Sequence, residues 1–237
     1  MIAIIIPTFN ERSNIFRLIK KLLKIDDNFF IYIIDDTKEY HLKEEFKKLN
    51  NVYYLHRKNQ RGRGSAVING LNIALKNKKN DIFIEMDADF SHRPIELKKK
   101  IKKFKKKKLD LLIASRYLKK SKIYNWSTGR RLFSRLSNFL ARILLDLNVT
   151  DYTNGYRIYS KQATKVIVKY CGNIGDGFIV LSEILLQIKM RKLKIAEDNT
   201  IFKNRKRGES SVNLSLILSS LFGIFKLFFL KKKLTTI

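Results

Sequence analysis

Short apolar runs alternate with segments of helical spacing through the first half of the chain. Ile2–Ile6 is an unbroken apolar run, mostly β-branched, that ends at Pro7, as expected of a strand buried on both faces. From Glu11 to Lys24 the apolar residues follow helical spacing, with lysines between them. The alternation continues with strands predicted at Phe29–Ile34, Val52–Leu55, Ile82–Met86 and Leu111–Ser115, and helices at Ser65–Lys76 and Pro94–Phe104. This order predicts an α/β fold, a mainly parallel sheet flanked by helices on both faces.

The pattern becomes mostly helical after Arg116. Helices are predicted at about Gly129–Leu145, Lys161–Cys171 and Phe178–Met190, and a last strand at Ile195–Asn204. Val212–Leu230 is strongly apolar and is followed by Lys231–Lys233. We therefore predict a domain of residues 1–211 and a tail of residues 212–237 that associates with a membrane.

The apolar part of the tail has 19 residues, about the minimum for a helix that spans a bilayer. Lys226, Asn213 and three serines make it a poor spanning segment. An amphipathic helix in the membrane interface is favoured, with Lys231–Lys233 against the head groups. A single span and a helix packed in the core remain the alternatives. The expected location is the cytoplasmic face of a membrane, peripheral rather than single-span.

Net charge and cysteine content limit the binding partners and the cellular compartment that we expect for the protein. The formal net charge of +29 indicates either a lysine-rich solvated surface or attraction to an anionic membrane surface. No zinc-finger spacing or RNA-binding signature supports a nucleic-acid partner. The single Cys171 excludes an internal disulfide framework, which favours a reducing cytoplasmic compartment and a core thiol. The first residues are typical of a strand rather than a signal peptide, and the oligomeric state stays open.

Polar residues gather where the predicted strands end. They are Thr8, Asn10, Glu11, Asp35, Asp36, Asp87, Asp89 and Arg116. Because ligands of such sheets bind beyond the carboxyl ends of the strands, these side chains predict one shared site. Asp87 and Asp89 form an Asp-x-Asp pair at the end of an apolar strand. Paired carboxylates of this kind suit Mg²⁺ or Mn²⁺, which could also bind a diphosphate.

Several motifs occur in order along the chain and together carry a family resemblance. They are Pro7-Thr8-Phe9-Asn10-Glu11, Asp35-Asp36, Asp87-Ala88-Asp89-Phe90-Ser91-His92-x-Pro94, Ser115-Arg116-Tyr117, Asn125-Trp126 with Arg130-Arg131, Asp151-x-Thr153-x-Gly155-x-Arg157 and Phe202-x-x-Arg205-x-Arg207-Gly208-Glu209-Ser210. The set resembles the inverting GT-A glycosyltransferases of family 2, and most closely their dolichyl-phosphate mannose synthase branch. The likeness extends from residue 2 to about residue 211.

The resemblance implies an enzyme, a hexosyltransferase that moves a sugar from a nucleotide-sugar to a polyprenyl phosphate. Mannose from GDP-mannose and a dolichyl or undecaprenyl phosphate are the favoured substrates. Nucleotide-sugar binding is implied for Pro7, Thr8, Glu11, Ile34, Asp36 and Asp87. Metal binding is implied for Asp87, Asp89 and Ser91. Catalysis is implied for Asp89, Arg116 and Arg130, and acceptor or phosphate binding for Arg116, Arg130, Arg205 and Arg207.

The supply of possible bases bears on the acceptor. A sugar hydroxyl would need a general base, whereas a phosphate is already anionic near neutral pH. His92 is the one histidine near the predicted site, and we interpret it as structural rather than as a base. Arginines suit phosphate oxygens because the guanidinium presents a planar fork of donors. The residues therefore favour a phosphate acceptor and a single in-line displacement with inversion.

Two departures from the family pattern leave alternatives open. Thr37-Lys38-Glu39-Tyr40 lacks the usual further Asp and Ser-Pro, which weakens the prediction of the base. Ser211 stands where these synthases usually carry a lysine, which weakens the prediction of the acceptor. Another nucleotide-sugar such as UDP-glucose, or a non-lipid acceptor, is the alternative reaction. A non-catalytic nucleotide-sugar-binding module is the alternative class, against which the intact Asp-x-Asp pair argues.

Overall fold

The computed structural model describes residues 1–39, 41–58, 62–175, 177, 179–204 and 214–235. The first half alternates strands and helices. Its elements are β1 (Ile2–Thr8), α1 (Arg12–Ile25), β2 (Phe29–Asp35), α2 (Lys43–Phe46), β3 (Val52–His56), α3 (Arg63–Lys76), β4 (Ile82–Glu85), a 3-10 turn (Pro94–Glu96), α4 (Leu97–Lys106) and β5 (Leu111–Ser115). The predicted strands and helices of this half are confirmed, and the single turn of α2 was not predicted.

The second half is richer in helix. Its elements are β6 (Lys122–Tyr124), α5 (Thr128–Leu145), β7 (Arg157–Ser160), α6 (Lys161–Tyr170), α7 (Ile179–Met190), β8 (Ile195–Asn199), β9 (Ile201–Lys203) and α8 (Leu214–Thr235). The prediction of one strand over Ile195–Asn204 is wrong, because the segment forms two strands that join different sheets. They part at Thr200, whose N–H donates to Ser121 Oγ and whose hydroxyl donates to Glu96.

The main sheet has seven strands in the order β3-β2-β1-β4-β7-β5-β8, and β6 and β9 form a separate parallel pair. All neighbours in the main sheet are parallel except those of β7, which runs antiparallel to both β4 and β5. The predicted mainly parallel sheet flanked by helices is thus confirmed. Its strands β1, β2, β4 and β5 end at one edge, which brings their terminal polar residues together.

Two core clusters lie on the two faces of the sheet. Alternate residues of β1 divide between them, with Ala3 and Ile5 in one cluster and Ile4 and Ile6 in the other. Apolar side chains of α1 and α4 cover one face, and those of α3, α5, α6 and α7 cover the other. This burial on both sides explains why β1 is an unbroken apolar run rather than an alternating one.

Strand β7 was not predicted from the sequence, because it is short and begins with a charged residue, Arg157. Arg157 is fully buried and donates hydrogen bonds to the carbonyl oxygens of Tyr152, Asn154 and Leu181. Its guanidinium therefore satisfies three main-chain acceptors, two of them in the loop before β7 and one in the first turn of α7. The strand holds β4 and β5 apart and sets the distance between the Asp-x-Asp pair and Arg116.

Helices α5 and α8 pack against each other and each buries only one side. In α8, Ile224 and Leu227 are buried in the core, and Gly223 lies so close to Ile179 that a Cβ would collide with it. Phe222, Phe225 and Phe229 of the same helix are exposed. Among the described residues, no helix is long and apolar enough to cross a membrane. The division of the chain at residue 211 stays a prediction.

Candidate active site

A cavity of about 440 Å³ lies at the edge where the parallel strands end. It is lined by Pro7, Thr8, Phe9, Glu11, Asp36, Gly62, Arg63, Ala66, Asp87, Ala88, Asp89, Ser91, Arg116, Arg130, Thr153, Asn154, Gly155, Phe202 and Asn204. Nine of the twelve sequence-predicted site residues thus lie on one cavity. Ile34 does not line the cavity, and Arg205 and Arg207 are outside the part of the chain that the structure describes.

Asp36 occupies one side of the cavity and is held firmly. Arg57 donates from Nε and Nη2 to its two carboxylate oxygens, at 2.6 Å each, and the Gly62 N–H donates to Oδ2 at 3.1 Å. Both charged side chains are more than nine-tenths buried. Ile34, two residues earlier, is fully buried in the core and does not line the cavity. Its predicted contact with a nucleoside stays a prediction.

Asp87 and Asp89 follow β4 and both reach the cavity. Burial alone would raise the pKa of Asp87, but the positive charge of Arg63 outweighs burial and the pKa lies below its ordinary value. Asp89 Oδ1 accepts a hydrogen bond from the Ser91 N–H at 2.9 Å. The Ser91 hydroxyl is buried and has no hydrogen-bond partner within the described part of the chain. Asp87 is therefore ionised, and the buried Ser91 hydroxyl offers a further oxygen beside the pair.

His92 is locked in a structural role. Its Nδ1 accepts a hydrogen bond from the Asp87 N–H at 2.9 Å, so the proton of the neutral ring lies on Nε2. Nε2 then donates to Asn154 Oδ1 at 3.0 Å. The ring also stacks on Tyr156 at a centroid distance of 5.0 Å. Since both nitrogens are occupied, His92 orients the loop of Asp87 and has no free nitrogen to accept a proton.

Arg63, the first residue of α3, enters the cavity beside Asp87. Its Nε and Nη2 donate to Asp87 Oδ1 at 3.0 and 2.8 Å, and Nη1 donates to Glu85 Oε1 at 2.7 Å. Burial alone would lower the pKa of Arg63, but the charges of Asp87 and Glu85 raise it. Arg63 is therefore a permanent cation between two acids of the same strand end.

Arg116 is fixed by the Asp151-Tyr152-Thr153 segment. Its Nε and Nη2 donate to the two carboxylate oxygens of Asp151, at 2.8 Å each, and Nη2 also donates to Thr153 Oγ1 at 2.7 Å. Asp151 is fully buried, and Arg116 is 8% exposed. Burial alone would lower the pKa of Arg116, but the charge of Asp151 raises it. A two-pronged contact of this kind holds the guanidinium in one orientation.

Arg130 reaches the same cavity from the first turn of α5. Its Nη1 donates to Asn204 Oδ1 at 3.1 Å. The Trp126 ring lies near both arginines, with its centroid 4.6 Å from Arg130 Cζ and 5.3 Å from Arg116 Cζ. The aromatic ring thus lets two like charges approach the same space, since each is attracted to its π-system. Arg205 and Arg207 lie outside the described residues.

Sequence reasoning missed several residues that form this cavity. Arg63 binds the predicted Asp87 from 24 positions away, and Arg57 binds the predicted Asp36 from 21 positions away. In the sequence Arg63 stands between Gly62 and Gly64, a segment for which we predicted no role. Asn154 and Phe202 were visible as parts of motifs, but only the fold places them at the cavity. No group of three or more His, Cys, Asp or Glu side chains suited to a metal occurs among the described residues.

Comparison with known proteins defines the class. Residues 3–168 match the family Glycosyl transferase family 2, which is more than half of the chain. The protein therefore belongs to glycosyl transferase family 2. The Asp-x-Asp pair lies in the matched region, as do all residues that line the strand-end cavity except Phe202 and Asn204.

Curated relatives narrow the likeness. The chain is 32% identical over 236 residues to the dolichol-phosphate mannosyltransferase of Pyrococcus furiosus, covering 95% of this chain and 63% of the relative. It therefore spans less than two thirds of that protein's length. It is 29% identical over 218 residues to the undecaprenyl-phosphate mannosyltransferase of Micrococcus luteus, covering 90% of this chain and 88% of the relative.

Solved structures show the same fold at low sequence identity. Glucosyl-3-phosphoglycerate synthase from Mycobacterium tuberculosis, in complex with Mn²⁺, UDP and glucosyl-3-phosphoglycerate, superposes with a TM-score of 0.64 at 16% identity, covering 96% of this chain and 78% of that one. A complex of the same enzyme with Mn²⁺, UDP-glucose and phosphoglyceric acid gives 0.65 at 15% identity, covering 96% and 78%. The fold of this chain is thus GT-A-like.

Proposed function

We propose that the protein transfers a hexose, mannose from GDP-mannose, to the phosphate of a polyprenyl phosphate such as dolichyl or undecaprenyl phosphate. Membership of glycosyl transferase family 2 supports the class of reaction. The names of the Pyrococcus and Micrococcus relatives support the sugar and the type of lipid. An acceptor phosphate oxygen forms a bond to the anomeric carbon, the bond from that carbon to the nucleoside diphosphate breaks, and the diphosphate leaves with the electron pair.

One observation supports a phosphate as the acceptor. Two arginines, rather than an available general base, face the cavity. Arg116 and Arg130 approach the cavity that holds Asp87 and Asp89. His92 has both ring nitrogens occupied. A phosphate acceptor needs charge neutralisation and positioning but no deprotonation. The arginines would hold phosphate oxygens, with Arg116 oriented by Asp151 and Arg130 by Asn204.

The nucleoside would lie on the opposite side, against Pro7, Thr8, Glu11 and Asp36. These residues share the cavity and come from the ends of β1 and β2. Asp36 is held in place by Arg57, so it can accept a hydrogen bond from a sugar hydroxyl without moving. This arrangement follows the general rule that ligands of open α/β sheets bind beyond the strand ends.

The residues present fit a divalent cation, Mg²⁺ or Mn²⁺. Asp87 and Asp89 supply carboxylate oxygens, and the buried Ser91 hydroxyl lacks another partner in the described residues. Hard cations take such oxygen ligands and complete their shell with substrate phosphates. When bound, the cation would neutralise the charge that develops on the leaving diphosphate. Asp89 has more acceptor capacity left for a cation, because Asp87 Oδ1 already accepts two hydrogen bonds from Arg63, whereas Asp89 accepts one, from the Ser91 N–H, within the described residues.

The acceptor class gives the decisive test. With GDP-mannose and Mg²⁺, we expect transfer to a short polyprenyl phosphate and at least about a hundredfold slower transfer to the matching free polyprenol. Every carboxylate among the described residues of the cavity is already assigned to the nucleotide or the metal, so none of them is left as a base for the alcohol. The measurement is the initial rate of radiolabelled sugar transfer into each acceptor.

UDP-glucose in parallel reactions serves as the donor control. Arg130→Ala should chiefly raise the KM for the polyprenyl phosphate if that residue faces the acceptor. Efficient transfer to polyprenol with the phosphate inert would refute the proposed acceptor.

The protein would work on a membrane surface, docked through α5 and α8. The exposed apolar residues of α5 recur at helical spacing and so form one stripe, Leu132, Leu136, Phe139 and Ile143. The exposed residues of α8 form a second stripe beside it, Phe222, Phe225 and Phe229. More than half of the side-chain surface of every member is exposed. Contiguous apolar surface of this kind is typical of an interaction site rather than of a free face.

Charge selects an anionic lipid surface as the partner of the two stripes. Neither α5 nor α8 contains an acidic residue. Basic residues flank the stripes, namely Arg131, Arg135, Arg142, Lys226, Lys231 and Lys232. Each Lys or Arg near an anionic membrane contributes about 1 kcal/mol to binding. The apolar side chains would enter the acyl boundary while these cations meet the head groups.

Replacing the apolar stripe of α5 is expected to release the protein from vesicles. Leu136→Ser, Phe139→Ser and Ile143→Ser combined should weaken binding at least about tenfold, because a large apolar side chain contributes about 1.5–3 kcal/mol when fully buried. Co-sedimentation with vesicles containing anionic phospholipid measures the change.

Ile95→Ser is the control, since Ile95 is even more exposed than the three residues replaced but lies outside both stripes. Point substitutions are preferred to deleting residues 212–237, because Ile224 and Leu227 belong to the core. Unchanged vesicle binding by the triple variant would show that α5 does not face the lipid.

A further inference from the structure

Arg63 leaves the two oxygens of Asp87 in different situations. Oδ1 accepts two hydrogen bonds from Arg63 Nε and Nη2. Oδ2 accepts none from the arginine and lies 3.7 Å from His92 Nε2. With one oxygen held at two points and the Asp87 N–H held by His92, the carboxylate cannot rotate freely. The oxygen that remains for another ligand is therefore Oδ2.

Glu85 keeps Arg63 in place from the other side. This carboxylate is fully buried, accepts from Arg63 Nη1 at 2.7 Å and accepts from the Tyr159 hydroxyl at 2.7 Å. Nη1 of Arg63 is thus anchored by Glu85, while Nε and Nη2 of the same guanidinium orient Asp87. A lysine could supply the charge but not this planar, three-point fork.

Gly155 provides the space that the guanidinium occupies. A Cβ at this position would lie 2.6 Å from Arg63 Cζ and still closer to Nη2. Gly155 is the last small residue of the Asp151-x-Thr153-x-Gly155-x-Arg157 motif, which otherwise serves Arg116 through Asp151. The motif therefore positions two arginines of the cavity. Asp151 binds Arg116 through its carboxylate, and Gly155 leaves the space that Arg63 occupies.

We propose that Arg63 is a positioning residue that presents Oδ2 of Asp87 to the divalent cation, and that Gly155 is required because it accommodates Arg63. The inference rests on the proposed function, since that supplies the cation. Ligand orientation matters for these cations because Mg²⁺ demands near-ideal octahedral geometry. Removing a residue that orients a metal ligand costs about 10–100-fold in metal affinity.

A purely structural role for Arg63 would be to neutralise the buried Glu85. The two roles separate in Arg63→Met combined with Glu85→Gln, which removes both charges of that pair and leaves no unpaired charge at position 85. If Arg63 positions Asp87, this double variant recovers thermal stability but not metal affinity. If Arg63 only neutralises Glu85, the double variant recovers both.

The experiment titrates Mn²⁺ into the full chain at saturating GDP and follows free Mn²⁺ by electron paramagnetic resonance, with thermal melts of every variant. Arg63→Lys should bind Mn²⁺ about 10–100-fold more weakly than the unaltered protein, as should the Arg63→Met, Glu85→Gln variant. Wild-type Mn²⁺ affinity in either of the two would overturn the proposal.

Gly155→Ala displaces Arg63 without removing any polar group. Its methyl collides with the far end of a flexible side chain, so the fold can adjust by moving the guanidinium away from Asp87. We expect about the same loss of Mn²⁺ affinity as in Arg63→Lys. In the Arg63→Met, Glu85→Gln background, Gly155→Ala should add nothing, because the guanidinium is absent. An equal further loss in that background would show that Gly155 acts independently of Arg63.

Failure of this inference differs from failure of the proposed function. If the unaltered protein binds Mn²⁺ with GDP and Asp89→Ala abolishes that binding, the metal site stands whatever the Arg63 variants do. If the unaltered protein binds no Mn²⁺, or Asp89→Ala binds it normally, the proposed metal site fails and the positioning role fails with it.

Discussion

Asp89→Ala is expected to lower the rate of sugar transfer about a thousandfold or more while leaving the fold intact. A cation that neutralises the leaving diphosphate contributes several kcal/mol to the transition state, and about 4 kcal/mol corresponds to a thousandfold in rate. Asp89 is half-buried at a strand end, and its one hydrogen bond within the described residues comes from the neighbouring Ser91 N–H. Its removal therefore costs little packing. Initial rates and thermal melts measure the two effects.

The control for this variant is an acid at the other end of the same strand. Asp81 precedes β4, is exposed, and pairs with the N-terminal amine and Lys161. Asp81→Ala should transfer sugar at the rate of the unaltered protein. Asp89→Asn keeps the size of the side chain but not its charge, and should be nearly as inactive as Asp89→Ala. Full Mg²⁺-dependent activity in Asp89→Ala would remove Asp89 from the metal site.

Asp151→Ala should destabilise the protein and abolish transfer together. It leaves the buried Arg116 guanidinium without its partner, and breaking a buried ion pair in this way costs about 3–5 kcal/mol of unfolding free energy. Asp151 also accepts hydrogen bonds from the N–H groups of Arg116, Thr153 and Asn154, which would be lost. Urea denaturation measures the free energy, and Glu44→Ala at an exposed pair is the control with no measurable change.

Two further measurements separate stability from catalysis in this variant. Arg116→Met combined with Asp151→Leu should recover much of the stability and none of the activity, because no charge is left buried while the phosphate ligand is gone. Recovery of activity in that pair would show that Arg116 does not contact substrate.

The Asp151 pair also predicts a pH dependence of stability. Burial alone would raise the pKa of Asp151, but Arg116 outweighs burial and the pKa lies below its ordinary value of about 3.9. A depressed folded-state pKa stabilises the protein above the unfolded value, and this contribution is lost as the pH falls through the folded value. In the Arg116→Met, Asp151→Leu variant, unfolding free energy should therefore fall less steeply below about pH 4.

The sequence revealed the sheet edge but not the contacts within it. The strand-end rule brought Thr8, Asp36, Asp87 and Arg116 to one edge, and the cavity contains all four. The role of Arg63 was not predicted, because its partners are more than twenty positions away along the chain. A single arginine between two glycines also forms no periodic pattern. Strand β7 was not predicted, because an arginine is expected at the surface unless the carbonyl groups that accept its hydrogen bonds in the interior are known.

The exposed stripe of α5 illustrates a different limit. Its spacing predicted a helix over Gly129–Leu145, and the structure confirms one over Thr128–Leu145. That helix has apolar residues on two sides, and only tertiary packing decides which side is covered. Ala141 and Leu145 are buried, whereas Leu136 and Phe139 are exposed.

Helix α5 stands between two environments. The side that carries Asn138, Ala141 and Leu145 faces the protein, with Asn138 bonded to the Tyr152 N–H near the cavity. At 3.6 residues per turn, the stripe of Leu136 and Phe139 lies on the opposite side, about 10–12 Å away across the helix. With that stripe on a bilayer, the enzyme would meet its lipid by diffusion in two dimensions. The rate of turnover would then depend on the number of acceptor molecules per unit area of membrane. The nucleotide-sugar would still reach the enzyme by diffusion through the solution.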